Sequence, residues 1–98
     1  PDRPLEDYRE AVIQAAFNAL TAARNTLKEG ERIVQILSLT VYLNASPDYT
    51  THAKVGDIAS NWLYEQLGEA GVGPRAAIGV ATLPGNAPVE IQLVAAAG

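Results

Sequence analysis

Ninety-eight residues, 48% hydrophobic and 18% charged, suffice for one small folded domain with a single core, and they exclude both a multidomain chain and a charge-rich disordered segment. A domain of this size buries only about 60 to 70% of the surface its unfolded chain exposes, so burial against further copies is expected to add stability. Seven basic against eleven acidic residues leave a net charge of −4, with every basic residue isolated in the chain, which argues against nucleic acid as a partner.

In chain order, the sequence opens at Pro1 and holds no methionine, so an upstream segment is expected. Leu5, Tyr8, Val12, Ala16, Leu20, Ala23 and Leu27 recur at three- and four-residue steps, predicting a helix over Leu5–Leu27 with one buried stripe. Pro4 suits its first position, Glu6 and Asp7 suit its positive end, Lys28 its last turn, and Gly30 a left-handed close. Ile33–Leu43 follows, where Leu37, Leu39, Val41 and Leu43 alternate with Ser38, Thr40 and Tyr42, predicting a central strand. The turn residues Asn44–Asp48 lead to a second helix starting between Pro47 and Lys54, with Val55, Ile58, Ala59, Trp62, Leu63 and Leu67 on one stripe and Gly56 as a small internal penalty. Arg75–Leu83 and Val89–Ala97 read as two strands forming a hairpin about Pro84–Ala87.

This order predicts an α+β domain, a mixed sheet with both helices on one face and a right-handed crossover between the first two strands. Three strands are little sheet for two amphipathic helices, and an edge is left open, so further strands are expected to complete it.

With no cysteine, disulfides, thiolate chemistry and Cys-based zinc sites are absent, which is compatible with a reducing, cytoplasmic setting. No apolar run of about 18 residues and no signal-peptide pattern occurs, so no membrane partner is expected. Arg75 stands at a strand start, where a planar guanidinium can clamp a carboxylate through two parallel bonds; the plain alternative is a solvated or ion-paired arginine. Glu90 interrupts an apolar strand and must be exposed or paired; such a carboxylate can position or deprotonate a water. Tyr42, on the polar face of the central strand, is a candidate to stack on or donate to a ligand, whereas Ser38 and Thr40 beside it lack a nearby base and read as local hydrogen-bond partners or barrel lining. His52, the lone histidine, has no companions at metal or triad spacing, so no metal site is expected. Trp62 reads as core, and no phosphate-loop glycine pattern exists.

The run Gly73–Pro84 (GPRAAIGVATLP) followed by Pro88–Gln92 (PVEIQ), with Leu39–Leu43 (LTVYL) and Asp48-Tyr49 upstream, resembles the RidA/YjgF family of enamine/imine deaminases in order and spacing. Asn44–Tyr49 (NASPDY), Lys54-Val55 and Leu67–Gly71 (LGEAG) look most like its chorismate-mutase-like branch. The resemblance covers nearly all of residues 1–98 as a single domain lacking the family's N-terminal strands. It implies the chorismate-mutase-like fold of the bacillar type, a homotrimer whose sheets form a central barrel, and ligand clefts between neighbours. A separate N-terminal polypeptide after cleavage near Pro1 would be one source of the remaining strands.

The resemblance further implies cofactor-free hydrolysis of 2-imino or enamino acids to 2-oxo acids and ammonia. Arg75 matches the carboxylate-binding arginine and Glu90 the acidic residue of the site. Ala77 replaces a frequent cysteine, and Asp57 stands where a helical asparagine is common, so a carboxylate there repels an anionic substrate unless it is compensated. Arg75 and Glu90 are expected several residues apart along the sheet, which places the ligand site at a subunit interface. The alternative is a non-catalytic small-carboxylate-binding or regulatory protein, favoured by Asp57 and Ala77. Chorismate-mutase chemistry needs more cations than one arginine, and ribonuclease chemistry is disfavoured by the acidic balance and the absence of a histidine pair.

Overall fold

The computed structural model describes residues 4–98. Helix α1 spans Leu5–Arg24, strand β1 Ile33–Asn44, helix α2 His52–Leu67 with a 3-10 turn Gly68–Gly71 continuing it, strand β2 Arg75–Val80, a 3-10 turn Pro84–Asn86 and strand β3 Val89–Ala97. The Pro4 carbonyl accepts from the Asp7 and Tyr8 amides, which starts α1 where the proline allows. The helix closes three residues earlier than its apolar spacing predicts. Asn25 and Thr26 compete for the backbone there, and Thr26 Oγ1 donates to the Ala23 carbonyl at 2.7 Å. Gly30 does adopt a left-handed conformation, φ +81°, but within the following loop.

The sheet order is β2-β1-β3, with β2 parallel and β3 antiparallel to β1. The predicted terminal hairpin does not form: β2 and β3 lie on opposite sides of β1, and β2 ends at Val80 rather than Leu83. Both neighbours are spent on the longest strand, whose Leu39–Asn44 half is thereby paired on both edges. The turn at Leu83–Asn86 carries the chain across the end of β1. The Asn86 amide donates to the Leu83 carbonyl at 3.0 Å, and Gly85 supplies φ +64°. Asn44, buried at the end of β1, ties this crossing down by donating from Nδ2 to Asn86 Oδ1 (3.2 Å) and to the Ala87 carbonyl (3.3 Å).

Both helices cover one face of the sheet. Tyr8, Val12 and Leu20 of α1 and Val55, Ile58, Ala59 and Leu63 of α2 meet Leu39, Val41, Leu43 and Val89 in a single core. The opposite face is bare and carries Thr40, Tyr42, Ile78, Glu90, Gln92 and Val94. The predicted two-residue alternation holds from Leu39 onward but breaks before it: Ile36 is buried while Leu37 is 50% exposed. A register irregularity between Ile36 and Ser38 against β3 inserts one residue and exchanges the two faces. Among the described residues no helix is long and apolar enough to cross a membrane.

Candidate functional site

Arg75 opens β2 beside Leu39 of β1, so its side chain leaves the sheet on the helix-covered side, toward α2. Its Nη1 donates to Asp57 Oδ1 at 2.7 Å and to Ser60 Oγ at 3.2 Å, and Nη2 donates to the Ala53 carbonyl at 3.4 Å. The guanidinium lies over Gly56: a Cβ there would stand 3.1 Å from Arg75 Cζ and Nε and 3.2 Å from the Cβ of Ala77. The glycine that the sequence presents as a helix penalty is the gap through which α2 and β2 approach. The Arg75 side chain is 23% exposed and that of Asp57 60%. A pair this open contributes only about 0 to 1 kcal/mol to stability, so its main effect is to fix where the guanidinium points.

Arg75 lines a cleft of about 480 Å³ with Ser60, Asn61, Tyr64, Ile36 and Leu39, walled by Gly71, Val72 and Gly73. Three of five guanidinium donors are engaged, so the Nε–H and one Nη2 hydrogen remain for a ligand. Asp57, Ser60, Asn61 and Tyr64 fall at i, i+3, i+4 and i+7 along α2. Ser60, Asn61 and Tyr64 of this stripe form the cleft wall, while Asp57 lies on the neighbouring groove with Arg9 and Lys54; the stripe's helical spacing is the signal in the sequence for that wall. Gly73 lets the loop press on β1, since a Cβ there would collide with the Ile36 carbonyl.

The remaining candidates lie elsewhere. Glu90 pairs with Tyr42 on the bare face and is exposed; Tyr42 donates its hydroxyl to Gln92 Oε1 at 3.1 Å beside it. Ala77 shares the side of Arg75 but packs partly buried beneath Gly56. One chain therefore brings Arg75 and Asp57 together, brings Tyr42 and Glu90 together, and sets the two pairs on opposite faces of the sheet. Ser38 and Thr40 share the face of Tyr42. Trp62 is only partly buried and packs edge-on against the exposed Phe17, ring centroids 6.4 Å apart.

His52 begins α2, edge-on to Tyr49 with centroids 5.3 Å apart. Its Nε2 lies so close to Gly79 that a Cβ there would stand 2.6 Å away. It lines a second cleft, about 590 Å³, with Asn44, Ser46 and Val80. Among the described residues no group of three or more His, Asp or Glu side chains is placed to hold a metal ion.

Comparison with known proteins supports the architecture. Protein TCP17 of Trypanosoma cruzi is 32% identical over 78 residues, which make up 79% of this chain and 49% of that protein. The Agrobacterium tumefaciens protein Atu1372, of unknown function, superposes with a TM-score of 0.84 at 32% identity over 96% of this chain and 60% of its own. A "putative endoribonuclease" from Shewanella oneidensis MR-1 superposes with a TM-score of 0.86 at 29% identity, covering 96% of this chain and 62% of its own. No protein-family model matches. The chain thus spans about half of the curated relative and about three fifths of each solved structure. It shares their α+β fold of two helices on a mixed sheet, a fold consistent with the YjgF/RidA-like one.

Proposed function

We propose that the chain forms part of a RidA-like hydrolase that converts 2-imino or enamino acids to 2-oxo acids and ammonia. The observation that carries this reading is Arg75: a guanidinium pinned by three partners, at the wall of a cleft sized for a small molecule, with donors to spare. In the reaction, a water oxygen bonds to the imine carbon and becomes the ketone oxygen. The C–N bond breaks, and both water hydrogens leave on nitrogen, giving ammonia from the neutral imine and ammonium from the protonated iminium. Arg75 holds the substrate carboxylate, and a carboxylate must hold the water.

Glu90 is that carboxylate in this reading, and it is supplied by a neighbouring copy because within one chain it points away from the cleft. The half-exposed Ile78 and Val94 on the bare face support three copies packed sheet to sheet in a trimer, with Glu90 and Tyr42 of one copy brought to the Arg75 cleft of the next. The reading places the protein in the cytoplasm, with further strands, within the same polypeptide or a separate one, completing the sheet. The endoribonuclease name of one structural neighbour finds little support in a chain of net charge −4 with a single histidine.

The test is release of 2-oxo acid from freshly generated imino acids by the complete protein, beside Arg75→Ala and Arg75→Lys variants of unchanged oligomeric mass. Acceleration lost in both variants supports the hydrolase. Carboxylate binding without turnover in the unmodified protein moves the assignment to a non-catalytic small-carboxylate-binding or regulatory protein.

A further inference from the structure

The outer face of the helix layer, turned away from the sheet, carries apolar surface of its own. The two helices run in the same direction: Tyr8 stands beside Tyr49 just ahead of α2, Phe17 beside Trp62, and Arg24 near Gln66 and Leu67. A groove of about 340 Å³ follows the seam between them, floored by Leu5, Ile13, Ile58 and Trp62. Phe17, 53% exposed, prolongs its apolar wall past Ile13. On the α2 side, Lys54, Ile58, Asn61 and Glu65 fall at i, i+4, i+7 and i+11, a single stripe of the helix. Both charges of that stripe oppose the helix that carries them. Lys54 lies in the first turn, where the aligned peptide dipoles already present positive charge and no acidic residue stands. Glu65 lies in the last turn, where they present negative charge and no basic residue stands. Helix α1 has the favourable order, with Glu6 and Asp7 in its first turn and Arg24 in its last.

We infer that this face docks a second copy of the chain across a two-fold axis, with the two α2 helices antiparallel. Lys54 and Glu65 lie about 16 Å apart along the helix, close to three full turns, and so point the same way. Turning a second α2 end over end brings its Glu65 to Lys54 and its Lys54 to Glu65, with Ile58 and Asn61 opposite one another near the axis. Each charge then meets an opposite charge and the opposite end of a helix dipole, while Phe17, Ile13 and Trp62 lose their remaining exposure. The other two charges of the groove are already spoken for, Arg9 by Glu6 and Asp57 by Arg75. Among the described residues neither Lys54 nor Glu65 has an ion-pair partner. The groove balances two cations against two anions in a chain of net charge −4, so copies meeting here escape the repulsion they feel elsewhere, and a strongly acidic or basic partner gains nothing. This pairing uses the helix layer alone. It does not depend on the imine chemistry, and the sheet-to-sheet packing proposed above leaves the helices on the outside.

The experiment follows the mass of the complete protein by sedimentation velocity as concentration rises, beside the emission of Trp62, the sole tryptophan of residues 1–98. The expected result is a doubling of mass accompanied by a blue shift. Lys54→Glu and Glu65→Lys should each weaken the doubling by about tenfold, because a reversed charge counts twice across a two-fold axis. Below the concentration of doubling, each should raise the thermal midpoint, because each corrects a helix end. Association lost while the fold gains stability is not misfolding. An equal mixture of the two variants should restore the doubling, since every pair across the axis is then again one cation and one anion. Paired Ile78→Ser and Val94→Ser changes, on the sheet's bare face, should leave both the doubling and the blue shift in place. A mass that does not double while Trp62 emission stays constant overturns the inference. Doubling that survives both single reversals, or a mixture no better than its components, overturns it as well. Emission that shifts only when phosphatidylcholine vesicles are added assigns the face to lipid and overturns it too.

Discussion

The two faces of the sheet solve different problems with neighbouring residues. On the covered face, Leu39, Val41 and Leu43 are buried, and the one charge that emerges there, Arg75, is met by three polar partners. On the bare face, Tyr42, Glu90 and Gln92 stand between exposed Ile78 and Val94, with the Tyr42–Gln92 hydrogen bond among them. The covered face is finished by its own chain, whereas the bare one is an apolar surface with polar groups set into it, the composition of an interface core and its rim. A functional group on the first face is positioned before any ligand arrives. One on the second acquires its surroundings only when something packs there.

That contrast can be broken experimentally. Leu43→Ala on the covered face should cost about 2 to 5 kcal/mol, read as a drop in the urea midpoint. Paired Ile78→Ser and Val94→Ser changes on the bare face should leave the unfolding of the isolated chain within about 0.5 kcal/mol per site while lowering the assembly mass seen by light scattering. An equal loss of folding stability at both places would erase the distinction. Arg75→Ala should weaken carboxylate binding by about 3 kcal/mol, two orders of magnitude, with the fold intact by circular dichroism.

Asn44→Ala frees the crossing at Asn86 and Ala87 and should cost about 1 to 2 kcal/mol in thermal unfolding, without altering carboxylate affinity. Gly56→Ala gains about 0.5 to 1 kcal/mol of helix propensity but pushes on Arg75 and Ala77. Stability should therefore move little while ligand affinity falls several-fold, and unchanged affinity would show that the guanidinium does not depend on that gap. Glu90→Gln is the smallest expected effect, within about 0.5 kcal/mol of folding stability. Its loss of turnover should appear only at protein concentrations where copies associate.

The helices were legible because their stripes repeat locally: Tyr8, Val12, Ala16 and Leu20 are buried as their spacing predicts, as are Val55, Ile58, Ala59 and Leu63. Val89, Ile91 and Leu93 likewise revealed which side of β3 faces inward. Pairing was not legible. A period of two says which residues share a face and nothing about which strand lies alongside, so β2 and β3 read as a hairpin although each prefers β1. The irregularity at Leu37 is equally silent in sequence, since Ile36 and Leu37 are interchangeable to any hydrophobicity pattern. Of the candidate residues, Arg75 and Glu90 stand out in the sequence as charges at the start of, or within, apolar strands. Their separation onto two faces, and the union of Arg75 with Asp57, depend on register between distant segments.

The central position of β1 also has a temporal side. Its partners among the described strands are residues 75–80 and 89–97, so as the polypeptide leaves the ribosome β1 waits for the first of these at one edge and for the second at the other. Pairing between segments so far apart in the chain is slow to close, and an unpaired apolar strand invites the equivalent strand of another nascent copy. Among the described elements α1 precedes β1, but its contacts are chiefly with α2 and β3, which are made later. Arrival of β3, which pairs with β1 and carries α1 against it, is therefore the step that closes the core.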